Sequence, residues 1–447
     1  MSSGLGLFAI ILVAIVGMIY LISKMKWHPF IVLLLAAFFV GLATGMDFNK
    51  VIKTITTGFG GILGNIGIVI IAGTIIGTIL EKTGAALTMA NFILKIVGKE
   101  KAALTMSLTG YVTSIPVFCD SGFVILSPIN RALAERSKVS LAVMAVALSS
   151  GLYATHCLVP PTPGPIIMAD TLKANLGLVI IVGLLISIPV MLAGYIYALK
   201  VGSKFDVPAN PDTTVEELLA KYGQLPGTLR SFAPILLPIV LIGLKSVADF
   251  PSGPFGTGII KNFISFIGNP VVALIIGIFL ATSLIPKVEK KNSFDWISSG
   301  ILQSASILAI TGAGGSLGSI LQALPVANVL GNTLLTYNIG ILVPFIIAML
   351  LKTAMGASTV AMIITSAMVA PLMANMGMTS EIAKVLVVMS IGAGSMTVSH
   401  ANDSYFWVVA QFSDLDTATA YKCQTGVTLV QGIVSIIIIS ILTMIFV

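Results

Sequence analysis

Of the chain's 447 residues, 57% are hydrophobic and only 9% are charged, whereas an ordinary soluble domain carries about 25% charged side chains. That balance excludes a soluble domain and points to a polytopic membrane protein. The net charge of +7 falls mostly in short loops, so it bears on topology and not on nucleic acid. Cys119, Cys157 and Cys423 have neither a metal spacing nor a disulfide framework, and no cofactor motif is present.

Apolar runs of about 20 residues mark spanning helices. They lie near 4–22, 28–46, 57–81, 139–168, 175–200, 231–248, 268–287, 297–321, 385–411 and 424–447. The first lacks a basic leader and a cleavage motif, so it reads as a retained helix. The run at 139–168 cannot be one helix. Pro160, Pro161, Pro163 and Pro165 remove amide donors and clash with the preceding turn. The run at 385–411 is interrupted by Gly394-Ser-Met-Thr-Val-Ser-His-Ala-Asn-Asp403, which is too polar to face lipid.

Two further apolar stretches, 103–135 and 338–376, carry polar tips at Thr113–Gly122 and Lys352–Thr359. Each is either a re-entrant hairpin or two ordinary spans. Lys and Arg cluster after the first helix, on both sides of the first hairpin, at 200–230 and after 287. All fall on one side if the amino terminus is outside and both hairpins return to their own side. The polar segment 202–230 reads as a cytoplasmic linker, and Thr214–Glu217 fits a capping box for a short helix.

A repeat joins the two halves, 1–201 and 231–447. Ala72-Gly-Thr-Ile-Ile-Gly-Thr-Ile-Leu80 matches Ala313-Gly-Gly-Ser-Leu-Gly-Ser-Ile-Leu321 at an offset of 241. His28-Pro matches Asn269-Pro at the same offset, and Thr155-His156 matches Ser399-His400 at 244. Asp120-Ser121 falls opposite Ser358-Thr359. Five full spans per half would insert the second half upside down. The expected fold is therefore all-α and polytopic: two inverted repeats with about ten spanning helices, two re-entrant hairpins and two broken helices. Inverted repeats with broken helices at mid-membrane are the pattern of secondary transporters.

Thr155-His-Cys-Leu-Val-Pro-Pro161 with Pro163, the Gly356-Ala-Ser-Thr-Val-Ala361 tip, Ala313-Gly-Gly315 and Asn402-Asp-Ser-Tyr-Phe-Trp407 together resemble the gluconate permease family of the ion transporter superfamily. The resemblance spans essentially the whole chain. It implies proton-coupled uptake of gluconate or a related sugar acid across a bacterial inner membrane. It also implies a homodimer in which a transport part moves against a fixed scaffold as an elevator. Relatives also carry idonate, fructuronate or D-serine, so a D-serine-type amino acid permease and a sodium-coupled organic anion symporter stay open. Family members often carry Glu-Val-Gly where this chain has Asp120-Ser121-Gly122. The shorter carboxylate and added hydroxyl alter the reach of that tip.

A sugar acid needs a counter-charge for its carboxylate and partners for its hydroxyls. Lys352 is the cation expected inside the second half, either holding the substrate carboxylate or snorkelling to the surface. Ser121, Gly122, Gly356, Ser358 and Thr359 offer amides and hydroxyls at the two tips, or simply allow tight packing. Asp120 and Asp403 are the intramembrane carboxylates and, with His156, the candidate proton carriers. The bland reading of each is a hydrogen-bonding group that fixes an irregular loop. Thr155, Thr162, His400, Asn402 and Ser404 complete the candidate substrate-binding set. The expected partners are a small organic anion, a proton and the bilayer, without metal, cofactor or nucleic acid. An intramembrane enzyme using His156 and Asp403 would need a nucleophile or metal motif, and a channel would not concentrate its solute.

Overall fold

A computed structural model describes residues 4–98, 101–209, 225–248, 255, 258–286, 293–324, 340–401 and 403–447. Within these residues the chain is helical, without a strand. The first half contains α1 (Gly4–Ser23), α2 (Pro29–Ala43), α3 (Phe48–Lys82), α4 (Ala85–Val97), α5 (Ala102–Thr113), α6 (Cys119–Ser137), α7 (Leu141–Leu158), α8 (Pro163–Thr171) and α9 (Leu176–Lys200). The second contains α10 (Thr228–Ala248), α11 (Ile259–Ile267), α12 (Pro270–Thr282), α13 (Ser293–Gln322), α14 (Leu342–Met355), α15 (Ser358–Val369), α16 (Glu381–Met396), α17 (Ser404–Phe412) and α18 (Thr417–Phe446, with a π turn at Tyr421–Thr425). By length and composition six continuous segments can cross a membrane, and the pair α11–α12, bent by 61°, would add a seventh.

Local chemistry sets the helix starts. His28 and Asn269 cap α2 and α12, each accepting from the amide two residues on, with proline at the first helical position. The repeated dipeptide is thus one capping device used twice. Asp47 caps α3 through Asn49 and Lys50 amides at 3.0 and 3.1 Å, so this helix begins nine residues before the predicted 57. Its polar start, Asn49, Lys50 and Lys53, hides it from a hydropathy reading. At 35 residues α3 is about 52 Å long, so it must tilt or project from an apolar core of about 30 Å. By contrast α5 and α14, with 12 and 14 residues, fall short of that thickness. The sequence reading lacks α4 and α11, because apolar runs of 13 and 9 residues are below span length. The capping box at 214–217 lies outside the described residues.

Packing pairs like with like across the halves. The longest helices, α3 and α13, lie along each other. A side chain at Gly315 would stand 2.6 Å from the Gly58 carbonyl, and one at Gly58 2.6 Å from that of Gly315. The partners α5–α7 and α7–α9 of the first half recur as α14–α16 and α16–α18. Cross-contacts are reciprocal too: α8 packs on α15, and α17 on α6. The matched glycines Gly151 and Gly394 let α7 and α16 meet the backbones of α5 and α14. At the far end of α6, Arg131 donates to the Asp414 carboxylate at 2.7 Å and to the carbonyls of Phe412 and Ala209. That bond holds the Asp414 carboxyl below its usual range.

At both breaks side-chain hydroxyls partner freed backbone groups. After α7 ends at Leu158, the Thr162 hydroxyl donates to the carbonyls of His156 and Val159 at 3.0 and 2.7 Å. After α16, Val398 adopts a φ of 61°, a costly value for a β-branched residue. Its neighbour Ser399 is held on both sides, its amide by Thr428 and its carbonyl by Thr425.

Gly151→Leu tests the close approach of α7. A side chain there meets the Ser107 carbonyl and the Tyr111 amide. Overpacking of this kind costs about 1–3 kcal/mol. Thermal unfolding of the purified variant in detergent should begin well below that of the parent, and an unchanged transition would refute the close packing.

Candidate functional site

The site forms where two helix ends meet. Helix α14 stops because Gly356 turns left-handed at φ +85°, its amide bonding to the Lys352 carbonyl at 2.8 Å. Lys352 therefore occupies the last turn, where a cation complements the helix carbonyls. Its ammonium turns back to donate to the Gly356 carbonyl. Opposite, Asp403 caps α17 and accepts the Tyr405 amide at 3.1 Å, where a carboxylate complements exposed amides. The two side chains meet at 2.5 Å, with exposures of 0% and 6%. Ser399 Oγ donates to the same Asp403 oxygen, Oδ2, at 2.5 Å.

Aromatic rings from α7 and α17 surround the pair. Lys352 Nζ lies 5.9 Å from the Tyr153 ring centre, within cation–π range. The Tyr153 hydroxyl bonds Ser358 Oγ at 2.6 Å, which joins α7 to the first turn of α15. Tyr153 stacks on Tyr405 at 5.1 Å and lies parallel to the His156 ring at 6.3 Å. Phe118 lies 6.1 Å from that imidazole on a tilted plane.

The structure brings Lys352, Gly356, Ser358 and Asp403 together directly. His400 lies beside them, its Nε2 2.8 Å from the Thr353 carbonyl. A carbonyl can only accept, so the proton is on Nε2 and the ring caps the end of α14. The repeat-related His156 does otherwise: it is buried between aromatic rings, and its Nδ1 has no hydrogen-bond partner. Asp120 sits in the first turn of α6, half-buried. Its Oδ1 is buried without a hydrogen-bond partner, and its charge feels both Asp403 and Lys352. Ser121 and Gly122 follow on that turn, and a side chain at Gly122 would press on Leu152.

Two other predicted residues bond backbone carbonyls of the frame. The Thr155 hydroxyl bonds the Tyr111 carbonyl of α5 at 3.0 Å, and Thr162 stabilises the proline break. Thr359 is half-buried beside Ser358, whereas Ser404 is exposed. Asn402 lies outside the described residues. Sequence reasoning missed Tyr153, Ser399 and Tyr405. Tyr153 precedes His156 by three residues, a spacing that puts both on one helix face. Ser399 stands four residues before Asp403 in a segment already marked as irregular. Among the described residues no cluster of His, Cys, Asp or Glu could hold a metal ion.

The sequence model of the GntP family permeases matches residues 7–445. A gluconate permease of Pseudomonas aeruginosa is 32% identical over 97% of this chain and 97% of its own length. The D-serine transporter DsdX of Escherichia coli K12 is 31% identical over 98% of each chain. The crystal structure of the Alcanivorax borkumensis YdaH transporter, described as having an unusual topology, aligns with a TM-score of 0.64 at 14% identity. That alignment covers 93% of this chain and 98% of the other, and it shows a shared fold.

Removing one member of a buried ion pair strands the other, at about 3–5 kcal/mol, whereas replacing both with apolar groups is often neutral. Lys352→Met and Asp403→Leu should each lower the unfolding midpoint of the purified protein markedly, and the double variant should recover most of the loss. Additive losses in the double variant would show that the pair does not act as a unit.

Proposed function

Because the chain belongs to the GntP permease family, we propose that it is a secondary active transporter that carries gluconate or a related sugar acid with a proton across a bacterial inner membrane. The observation that carries this reading is the buried Lys352–Asp403 pair between the end of α14 and the start of α17. An ammonium in the membrane interior is a counter-charge for a substrate carboxylate. A carboxylate beside it can take up a proton when its partner leaves. Ser358, Ser399 and the Tyr153 hydroxyl surround the pair and can exchange their present bonds for substrate hydroxyls. Asp120 contributes a buried acceptor oxygen that still lacks a donor. His156, packed among aromatic rings, shapes the wall beside Tyr153.

The reciprocal packing supports two inverted repeats, 1–201 and 231–447, joined by a cytoplasmic linker at 202–230. The short α5 and α14 fit re-entrant hairpin arms with α6 and α15. In this reading the α3–α13 pair belongs to a scaffold, the hairpins and broken helices move as an elevator, and two copies assemble as a homodimer. A second reading has a specific support. The unpartnered oxygen of Asp120 would suit an ammonium group, as in a D-serine-type amino acid permease.

A substrate panel in proteoliposomes under an imposed pH gradient, acid outside, decides between them. Gluconate or another sugar acid should accumulate, insensitive to sodium and abolished by an uncoupler. Accumulation of D-serine alone would favour the second reading, sodium dependence would exclude the proton, and no accumulation would overturn the transporter assignment. Asp120→Ala removes an acceptor whose bond to a substrate hydroxyl is worth about 1.5–3 kcal/mol. Its KM for gluconate should rise about tenfold or more with the pH dependence kept; an unchanged KM would remove Asp120 from the site.

A further inference from the structure

In this structure Lys352 is fully engaged. Its ammonium contacts the Asp403 carboxylate and the Gly356 carbonyl, lies near the Tyr153 ring, and has no exposed surface. Three donors serve Asp403: Lys352 Nζ and Ser399 Oγ on Oδ2, and the Tyr405 amide on Oδ1. A substrate carboxylate arriving at Lys352 would therefore face a carboxylate already paired with that ammonium. Two carboxylates cannot share one ammonium at this depth without an unbalanced negative charge.

We infer that the substrate carboxylate and the Asp403 carboxylate are alternative partners of Lys352, and that one proton moves onto Asp403 each time a substrate anion takes its place. This inference rests on the reading of the chain as a proton-coupled carrier of a sugar acid. In the empty carrier the pair is Lys352 ammonium with Asp403 carboxylate. In the loaded carrier it is Lys352 ammonium with substrate carboxylate, beside a neutral Asp403 acid. One proton and one monoanion enter together and leave together, so the site carries the same net charge in both states. Each state holds a balanced pair, and neither strands a charge in the membrane interior.

The surroundings fit this exchange. The titratable groups around Asp403 are Cys119 and Asp120 from α6, Tyr153, His156 and Cys157 from α7, Lys352 from α14, Tyr405 from α17, and His400, three residues before Asp403, whose Nε2 is turned to the Thr353 carbonyl. From α18 the break receives the hydroxyls of Thr425 and Thr428 on Ser399. Lys352 is the one lysine or arginine among them; of the two imidazoles, His156 is flanked by the Phe118 and Tyr153 rings and His400 is bonded to the Thr353 carbonyl. When Asp403 is neutral, its acid proton can be donated to Ser399 Oγ, while Oδ1 still caps α17 through the Tyr405 amide. The helix start thus survives the change of charge.

The exchange makes transport electroneutral, which separates it from carriers that move extra protons per anion. Potassium-loaded proteoliposomes with valinomycin allow the two driving forces to be imposed separately on labelled gluconate. A pH gradient, acid outside, should drive accumulation at zero membrane potential. An inside-negative potential at equal pH should neither drive nor slow uptake. Accumulation driven by that potential alone would mean more than one proton per anion and would overturn the exchange while leaving the transporter reading intact. Accumulation under neither gradient would overturn both. In detergent, gluconate binding to the parent should tighten up to about tenfold for each pH unit lowered, and Asp403→Asn should make binding independent of pH over the same range. A retained pH slope in that variant would refute the assignment of the proton to Asp403. Should Asp403→Asn fail to fold, the gradient experiment on the parent still decides.

Discussion

Lys352 and Asp403 can be ionised inside an apolar bundle only because two helix ends are brought face to face. A cation in the last turn of α14 offsets unpaired carbonyls, and a carboxylate at the cap of α17 offsets unpaired amides. Neither charge would be tolerable in the middle of a continuous helix facing lipid. The breaks in the hydrophobic segments are therefore what make a charged site possible. Gly356 and the strained Val398 are the backbone positions that create them.

That arrangement depends in turn on small residues farther away. The helices that carry the site reach it through backbone contacts at Gly151 and Gly394, and α3 and α13 come together at Gly58 and Gly315. Without a hydrophobic driving force between spans, such close approaches and the hydrogen bonds they permit hold helices together in a membrane. The α5–α7 contacts recur as α14–α16 contacts, and the second arms of the two breaks cross between the halves, α8 against α15 and α17 against α6. One half supplies Tyr153 and Asp120, and the other supplies Lys352, Ser358 and Asp403. The centre is built from both.

Much of this was legible in the sequence because proline, glycine and intramembrane charge are conspicuous against an apolar background. Pro160, Pro161 and Pro163 announced the first break, and Lys352, Asp120 and Asp403 stood out by charge alone. What stayed hidden was pairing. No spacing in the chain relates Lys352 to Asp403, 51 residues apart, nor Tyr153 to Ser358, 205 apart. The symmetric histidines looked equivalent, yet one caps a helix and the other is packed between rings, a difference set by neighbours from other helices. Thr155 and Thr162 read as hydroxyl partners for a ligand, and no spacing announces the backbone carbonyls that their hydroxyls bond. Helix α4 escaped because a hydropathy reading favours runs of full span length.

A site in which substrate replaces an internal carboxylate also has a chemical consequence for specificity. It selects for a monoanion, since only a single negative charge restores the balance that Asp403 gives up on protonation. Neighbouring hydroxyls then sort among anions by shape. The most direct measurement of this account is calorimetry of gluconate binding to the purified protein near neutral pH in buffers of different ionisation enthalpy, which counts protons. About one proton should be taken up for each gluconate bound. Binding with no net proton uptake would contradict it.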